Sequence, residues 1–467
     1  MSDNTKKKGL NISARCFITA IAVLLALMLA TYILTFIIPA GEYGRVADAD
    51  GNLRVDTESG FTYLEGGIPF YKWLLSPILV LGAEGNVTLI AVIAFLLIVG
   101  GIFNALEKGG LMRYMLGRIA SKYIGVRYRL LALVVLFFMS MGAFVGSFEE
   151  CVPLVPLAVA LSVSLGWDAL TGLYMSILAT GCGFASGVCN PFTVGLAQEV
   201  AGLPMFSGIL MRLAAFALIY LLLMLFIRHH TKKVERSVCV NEDIATEHDK
   251  KMNRGIIVFA LILGLGILLV LCSVFIPALR DLTMIIVAVM FLTAGVAATT
   301  VSGMTVKVLL SHFVHGALSI LPAVAMILMA SSIKYTLVEA KVLDTLLHFA
   351  VDLAGSLPAW AVILFIYAIV LFMNFFISSG SAKVFLLMPL IVPLAEVFGI
   401  SAQLCVLAFA FGDGFSNVFY PTNPVLLISL GVTDVSYGKC IKHTWSFQVI
   451  NLLLTSLLLL LGLTLGY

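Results

Sequence analysis

The sequence has 467 residues, of which 61% are hydrophobic and 11% are charged, and its formal net charge is +3. Soluble domains are about 25% charged and about 45–50% apolar, and a mean hydropathy of +1.09 leaves too little polar surface to face water. These values exclude a soluble enzyme or a nucleic-acid-binding protein and indicate a polytopic membrane protein.

The first segments in chain order are a basic stretch and a long apolar run. Residues 1–15 contain three consecutive lysines and an arginine, which predicts a cytoplasmic tail because positive residues flanking a span stay in the cytoplasm. The run Cys16–Ile38 is long enough to cross a bilayer and too long for a signal-peptide core. Residues 41–67 are then external, and Asp50-Gly51 within them predicts a small β-hairpin.

Further apolar runs predict a bundle of membrane-spanning helices. Clusters of basic residues around 108–129, 228–254 and 439–443 indicate cytoplasmic loops. We expect 228–254 to link a first repeat half, 16–227, to a second half, 255–467. The other predicted simple spans are Val87–Ala105, Phe206–Ile227, Gly255–Ile276, Met284–Thr300, Gly316–Ile333 and Ser446–Leu465.

Two apolar stretches have a polar tip between two arms that are short for a full crossing. The tip within 130–165 is Gly146–Glu150, and the tip within 360–397 is Ser378–Lys383. Such a pattern indicates re-entrant hairpins. We call 130–165 hairpin 1 and 360–397 hairpin 2.

Each hairpin is followed by an apolar stretch that glycine and proline interrupt. The interruptions are Gly183–Pro191 within 169–203 and Gly412–Pro424 within 401–433. Unwound backbone at membrane depth is tolerated only where it is buried in protein or lines a cavity. We call these stretches broken helix 1 and broken helix 2.

The two blocks are copies of one another. A shift of 233 positions without gaps places Pro156 on Pro389, Gly166 on Gly399, Gly181 on Gly414, and Asn190-Pro191 on Asn423-Pro424. By the charge count, hairpin 1 enters from the cytoplasmic side and hairpin 2 from outside, which predicts an inverted-topology repeat. The predicted fold is therefore an all-α polytopic membrane protein with two re-entrant hairpins and two broken transmembrane helices.

Several motifs resemble the C4-dicarboxylate anaerobic carrier (YfcC/DcuC) family of the ion-transporter superfamily, most of all its YfcC-type members. They are Gly146–Glu150, Asn190–Gly195, Gly412–Asn417 and Pro39–Tyr43. The resemblance covers nearly the whole chain. It implies a secondary transporter of anionic or amino-acid-like metabolites, and related members imply a homodimer, an elevator motion and coupling to Na⁺ or H⁺. The chain departs from the family pattern at Lys383, where an uncharged polar residue is usual.

Four ionisable residues lie at the tips and the second break, where burial of charge is costly. They are Glu149, Glu150, Lys383 and Asp413. Because the shift of 233 places Glu150 on Lys383, we predict a dipolar site. Glu150 would bind a cationic group or a coupling proton, and Lys383 would bind a carboxylate or act as an internal counter-ion. The alternatives are that these two pair with each other, that Glu149 faces a vestibule without a role, and that Asp413 bonds loop amides.

Polar groups near the tips and breaks are candidate ligands for the substrate or for Na⁺, and helix N-termini there attract carboxylates. The set is Ser147, Ser186, Asn190, Pro191, Thr193, Ser379, Ser381, Ser416, Asn417, Thr422 and Asn423. Single serines and threonines in membrane helices commonly bond their own backbone instead, so the two Asn-Pro pairs are the stronger candidates. The eight cysteines form no CxxC pair, so we predict no metal site and no cofactor beyond a coupling ion.

The function that this pattern favours is secondary active transport, of elevator type and either ion-coupled or by exchange. The acidic tip of hairpin 1 favours an amino-acid-like substrate such as a basic amino acid or small peptide, and a C4-dicarboxylate is the alternative. A channel is a further alternative. No GxSxG, HExxH or Walker sequence is present, which argues against an enzyme or a primary pump. We expect a multi-pass protein of the bacterial cytoplasmic (inner) membrane whose partners are a small molecule, lipid and a second copy, with no nucleic acid.

Overall fold

A computed structural model describes residues 14–47, 53–55, 60–83, 87–235, 249–272, 283–354, 357–433 and 435–467. Most of the predicted tail 1–15 lies outside the described residues, and so do 236–248 of the predicted linker and the Asp50-Gly51 turn. The described part is almost entirely helical, as the sequence predicts.

Ten α-helices precede the linker region and ten follow it within the described residues. The first ten are α1 Ala14–Ile37, α2 Phe70–Leu79, α3 Val87–Lys108, α4 Leu111–Tyr123, α5 Arg127–Ser140, α6 Val155–Ser164, α7 Ala169–Leu173, α8 Ala179–Ser186, α9 Leu196–Val200 and α10 Ile209–Val234. The others are α11 Lys250–Cys272, α12 Thr283–Val301, α13 Val306–Ser319, α14 Leu321–Glu339, α15 Leu343–Ala354, α16 Ala359–Phe376, α17 Gly380–Val397, α18 Ala402–Ser416, α19 Pro424–Gly431 and α20 Tyr437–Leu465.

Short stretches of 3₁₀ helix or π-helix interrupt or flank several of these α-helices. Three are π-helical, Met141–Val145, Tyr174–Leu178 and Pro191–Gly195. Three are 3₁₀ turns, Val80–Gly82, Ile124–Val126 and Glu149–Leu154. All three π turns lie in hairpin 1 or broken helix 1, which agrees with the tendency of such turns to occur at functional sites.

A small β ribbon follows α1. β1 Gly41–Tyr43 pairs antiparallel with β4 Phe61–Tyr63, and β2 Arg45–Ala47 pairs with β3 Leu53–Val55. The predicted β-hairpin around Asp50-Gly51 is confirmed by the β2–β3 pair. Asp344 of α15 anchors the ribbon, since its carboxylate accepts from the Tyr43 amide at 3.0 Å and from the Arg45 guanidinium at 2.9 Å.

Nine helical segments of the described chain are long and apolar enough to span a membrane. Their burial divides them into inner and outer segments. The segment of broken helix 1 is 94% buried, whereas those of α10 and α11 are 22% and 17% buried. Outer helices expose leucines such as Leu221 and Leu261, which suits contact with lipid. Broken helix 1 is therefore the enclosed element that other helices surround.

Both hairpins and both broken helices are present as helical elements. Hairpin 1 is formed by α5 with its π turn, a tip at residues 146–148, and the 3₁₀ turn leading into α6. Gly146 ends the first arm in the left-handed region, with φ of 77°, where glycine carries no Cβ penalty. Hairpin 2 is formed by α16 and α17, with Ser379 as the N-cap of α17. The domain boundaries placed around these elements stay predictions.

The two Asn-Pro pairs are helix starts. Asn190 Oδ1 accepts from the amides of Phe192 and Thr193 at 2.9 and 3.3 Å. Asn423 Oδ1 accepts from the amides of Val425 and Leu426 at 2.9 and 3.4 Å. Proline follows at the first helical position in both cases, where its missing N–H costs nothing. The Asn-Pro pair thus restarts the helix after each break and satisfies donors that would otherwise be orphaned.

The first halves of the broken helices also begin at equivalent positions. Asp168 caps α7 by accepting from the Thr171 amide at 2.9 Å, and Ser401 caps α18 by accepting from the Leu404 amide at 3.1 Å. Asp168 and Ser401 are separated by the same 233 positions as the Asn-Pro pairs. The repeat therefore holds at both starts of each broken helix.

The broken helices cross at two glycines. A Cβ on Gly414 would lie 2.1 Å from the Ala185 Cα, and one on Gly181 would lie 2.6 Å from Val418 Cγ1. The shift of 233 converts the first contact into the second, because it places Gly181 on Gly414 and Ala185 on Val418. This reciprocity is what a pseudo-twofold relation between the halves requires, and it confirms the predicted repeat.

The crossing predicts that Gly414→Ala destabilises the protein. The new methyl group would meet the backbone of Ala185, which cannot rotate away, and overpacking of this kind costs about 1–3 kcal/mol. Thermal unfolding in detergent should show a lower midpoint for the variant.

Gly264→Ala is the matched control for that measurement. Gly264 lies in a helix, and nothing lies within 4 Å of the position its Cβ would take. We expect an unchanged or raised midpoint there, because alanine is the better helix former. Equal effects of the two substitutions would contradict a close crossing at Gly414.

Candidate functional site

A buried ion pair lies between hairpin 2 and broken helix 2. The Lys383 ammonium pairs with Asp413 Oδ1, and both side chains are fully buried. Lys383 makes no ion pair with Glu150, so the predicted alternative that those two pair with each other is wrong. The shift of 233 relates their positions in sequence, but Lys383 reaches broken helix 2 of its own half instead. Lys383 is thus the counter-ion of Asp413.

Asn374, in the first arm of hairpin 2, connects this pair to the second break. Its Oδ1 accepts from the Lys383 ammonium. Its Nδ2 lies 3.1 Å from the Asp413 carbonyl oxygen, 2.6 Å from Ser416 Oγ and 3.0 Å from Asn417 Oδ1. Sequence analysis missed Asn374, although a single amide in an otherwise apolar arm, nine residues before Lys383, was a usable signal.

The tip of hairpin 2 meets broken helix 1. A Cβ on Gly380 would lie 2.8 Å from Thr193 Cγ2 and 2.9 Å from Asp413 Oδ2. Only glycine lets the start of α17 approach both side chains. The tip thus brings together the second segment of broken helix 1 and the carboxylate of broken helix 2, as sequence analysis expected of elements that meet at a site.

The tip of hairpin 1 meets the first break in the same way. A Cβ on Gly146 would lie 2.3 Å from Asn190 Oδ1, and the Cys189 amide donates to the Ala143 carbonyl at 3.0 Å. Glu149 and Glu150 follow at the start of the 3₁₀ turn, where both are partly exposed. This 3₁₀ turn contacts α19, the second segment of broken helix 2, so the acids at this tip adjoin the element that follows the second break. Glu149 forms no ion pair with any residue that the structure describes.

The other residues predicted to bind a ligand differ in the hydrogen bonds that they already make. Ser186 and Ser416 donate to backbone carbonyls of their own helices at 2.7 Å, which is the alternative that sequence analysis left open. Ser379 and Ser381 lie at the tip of hairpin 2, their hydroxyls 3.4 Å apart. Asn417 Oδ1 accepts from Asn423 Nδ2 at 2.9 Å. Ser147 is buried at the tip of hairpin 1.

Three buried polar atoms of uncharged side chains near the breaks have no hydrogen-bond partner within the described part of the chain. They are Asn190 Nδ2, Thr193 Oγ1 and Thr422 Oγ1. A buried polar group without a partner costs about 1–3 kcal/mol, so each is a place where a ligand or water gains a bond. Of the Asn-Pro pairs, only the first therefore keeps a side-chain donor for a ligand.

Two basic residues that sequence analysis did not assign to the site lie at or near the breaks. Arg212, within the predicted span Phe206–Ile227, is fully buried and donates to the Val188 carbonyl in the first break at 3.2 Å. Lys334 lies near the end of α14, which contacts α19 of broken helix 2. The predicted span Gly316–Ile333 stopped one residue short of it. Among the described residues, Lys334 has no ion-pair partner.

The comparisons with known proteins can be set against this geometry. The family model of the C4-dicarboxylate anaerobic carrier matches residues 17–464. The chain belongs to this family. Its members are carriers, so the protein is a membrane transporter with a small-molecule substrate. The resemblance stated from the tip and break motifs is confirmed.

Two relatives match most of the chain. One, from Escherichia coli K12, carries the name "Putative basic amino acid antiporter YfcC" and is 27% identical over 410 residues, 81% of this chain and 79% of the relative. The other, an uncharacterized protein from Haemophilus influenzae Rd, is 23% identical over 394 residues, 82% of this chain and 77% of the relative.

Two solved transporter structures also match over most of their length. The YdaH transporter of Alcanivorax borkumensis has a TM-score of 0.44 and 18% identity, covering 97% of this chain and 99% of that one. The antimetabolite efflux pump MtrF of Neisseria gonorrhoeae has a TM-score of 0.43 and 16% identity, covering 94% of each chain.

The buried pair in this carrier predicts a strong coupling between Lys383 and Asp413. Asp413→Asn alone should destabilise the protein by about 3–5 kcal/mol, because it leaves an uncompensated buried ammonium. Lys383→Met alone leaves a buried carboxylate and should cost a similar amount. The double variant should cost clearly less than the sum of the two, and thermal unfolding of all four proteins measures the difference. Additive losses would contradict a direct pair.

Proposed function

We propose that this carrier is a secondary active transporter that exchanges cation-bearing, amino-acid-like substrates, such as basic amino acids or small peptides, across the bacterial cytoplasmic membrane. The observation that carries the proposal is the distribution of charge. Lys383 is already neutralised by Asp413, whereas the negative charge of Glu149, at the tip of hairpin 1, has no ion-pair partner among the described residues. A substrate ammonium or guanidinium would compensate this excess of negative charge. The name of the Escherichia coli relative, a basic amino acid antiporter, points to the same substrate class.

The carboxylate of such a substrate has candidate donors at the first break. Asn190 Nδ2 and Thr193 Oγ1 are buried there without a partner, and a helix restarts at Pro191. The amides of Phe192 and Thr193 are already bonded to Asn190, so what this helix start offers an anion is the positive end of its dipole. Because Gly146 packs against Asn190, the tip that bears the two glutamates adjoins these donors. The first tip thus offers negative charge to the cationic end of a zwitterion, and the first break offers uncharged hydrogen-bond donors to its carboxylate.

The transport motion that we propose is of elevator type. Support comes from the burial contrast between enclosed broken helix 1 and the lipid-facing outer helices α10 and α11. The hairpins contact the broken helices, so an inner unit built from these elements would move as one body. A cytoplasmic N-terminus, a homodimer, and the choice between Na⁺ and H⁺ stay predictions.

Substrate exchange through the acidic tip predicts the behaviour of Glu149→Gln and Glu150→Gln. In proteoliposomes preloaded with unlabelled arginine, each variant should take up labelled arginine about 10- to 100-fold less effectively. That range corresponds to a charged hydrogen bond of about 1.5–3 kcal/mol.

Glu199→Gln is the matched control for this exchange assay. Glu199 lies in α9 of the same half and its side chain is exposed, so exchange should be unchanged. Full exchange by Glu149→Gln and Glu150→Gln would remove the acidic tip from substrate binding. If no basic amino acid or small peptide exchanges in the unsubstituted protein, the substrate class itself is wrong.

A second candidate function, transport of a C4-dicarboxylate, is favoured by one observation. Lys334 is a cation on α14, the helix that contacts α19 of broken helix 2, and no described residue pairs with it. A partly buried lysine within a predicted span needs a counter-ion, which a substrate carboxylate would supply.

Lys334→Met distinguishes the two candidates. If the substrate is a dicarboxylate, fumarate or malate should raise the thermal midpoint of the unsubstituted protein by mass action, and this shift should disappear in Lys334→Met. Lys307→Met is the control, because Lys307 is exposed on neighbouring α13. A thermal midpoint that rises with arginine and not with dicarboxylates would reject dicarboxylate transport and support exchange of basic amino acids.

A further inference from the structure

We propose that the second half contains an oxygen-lined site for a monovalent cation, and that the Lys383 ammonium occupies it permanently. The protein would then carry a tethered cation where a free Na⁺ or K⁺ could otherwise bind. The site concerns cation binding by the transporter. Only its consequence for ion coupling rests on the proposed function.

The surroundings of the ammonium are those of a cation site. Lys383 contacts two oxygens from different elements, Asp413 Oδ1 of broken helix 2 and Asn374 Oδ1 of hairpin 2. The orientation of the Asn374 amide is determined by its neighbours, because its other end lies within hydrogen-bond distance of three oxygens. Only Nδ2 can donate to those acceptors. Asn374 Oδ1 must therefore face the cation.

Asp413 also has a second carboxylate oxygen beside the one that pairs with Lys383. Its Oδ2 lies beside Gly380 at the start of α17 and has no hydrogen-bond donor among the described residues. Carboxylate and amide oxygens are the hard ligands that alkali cations prefer, and an ammonium uses the same acceptors through its N–H groups. Without Lys383, a fully buried carboxylate would remain, which is too costly to leave charged and uncompensated. A small cation entering the vacated space would compensate it.

The first half does not contain a copy of this site. The shift of 233 places Asp413 on Thr180 and Asn374 on Met141. Thr180 bonds the Ser176 carbonyl at 3.0 Å, and Met141 offers no oxygen ligand. The cation-binding oxygens thus occur only in the half that also carries the lysine, as expected if these residues form one functional unit.

The test compares cation dependence of stability in Lys383→Ala, in Lys383→Ala/Asp413→Asn and in the unsubstituted full-length protein. Thermal midpoints are measured in detergent in choline chloride, with NaCl, KCl or methylammonium chloride replacing it at constant ionic strength. We expect Lys383→Ala to gain a saturable rise of several degrees with at least one small cation. The gain should be absent from the double variant, which lacks the carboxylate, and from the unsubstituted protein.

Two results would overturn the inference. One is a cation response of Lys383→Ala no larger than that of the unsubstituted protein, and the other is a gain that persists in the double variant. If Lys383→Ala is too unstable to purify, the folded fraction of Lys383→Ala recovered on solubilising membranes in each salt replaces the midpoint. Equal recovery in choline and in every small cation would then count against the site. None of these measurements needs a substrate, so their failure is distinct from failure of the proposed exchange.

Discussion

Interrupted backbone at membrane depth is the constraint on which the rest of this structure depends. A break in a helix exposes amides and carbonyls that lipid cannot satisfy. Asn190 and Asn423 satisfy the amides where the helices restart, and the Val188 carbonyl receives the buried Arg212 side chain. Enclosure supplies what remains, because each hairpin tip lies against a break and the outer helices surround broken helix 1. The hairpins, the close crossing of the two broken helices and the outer helices all serve to keep the two breaks away from lipid.

Most of this architecture was predictable because it depends on residue types that have strong local conformational preferences. Glycine and proline mark the breaks, and polar residues mark the hairpin tips. The shift of 233 could be found without a structure, and it correctly relates the caps, the tips and the Gly181–Val418 and Gly414–Ala185 crossing contacts. Helices α13 and α15 were not predicted, since they lie beside recognised spans and carry no comparable signal.

The contacts within the site were less predictable, for a physical reason. Repeat symmetry equates positions, whereas ion pairs form between side chains that are close in space. Symmetry matched Lys383 with Glu150, but the side chain of Lys383 bonds Asp413 and Asn374, which belong to its own half. Arg212 and Lys334 were missed because hydropathy places span ends only approximately, and a shift of a few residues decides whether a basic residue counts as interfacial or buried.

The two halves share a backbone plan and differ in how their polar groups are satisfied. In the second half, Asn374, Asn417, Asn423 and Ser416 bond one another around an internal ion pair. In the first half, Asn190 and Thr193 each keep an unpaired polar atom, and the acids lie at the tip. The linked side chains of the second half restrain one another, although Thr422 Oγ1 and Asp413 Oδ2 of that half have no hydrogen-bond partner among the described residues. The second half is thus suited to hold a fixed geometry, and the first half to gain bonds from a ligand.

This difference has a consequence for exchange. Under the proposed elevator motion, the Lys383–Asp413 pair would cross the membrane region as a neutral unit whether or not substrate is bound. Glu149 would not, because a charged side chain at the bilayer centre costs about 2.5–3.5 kcal/mol even on permissive insertion scales. A bound cation would remove that cost, and a difference of about 3 kcal/mol corresponds to roughly a 100-fold difference in rate. Under the proposed function, the loaded inner unit therefore crosses far more often than the empty one, and the charge of the first tip alone makes exchange faster than net transport.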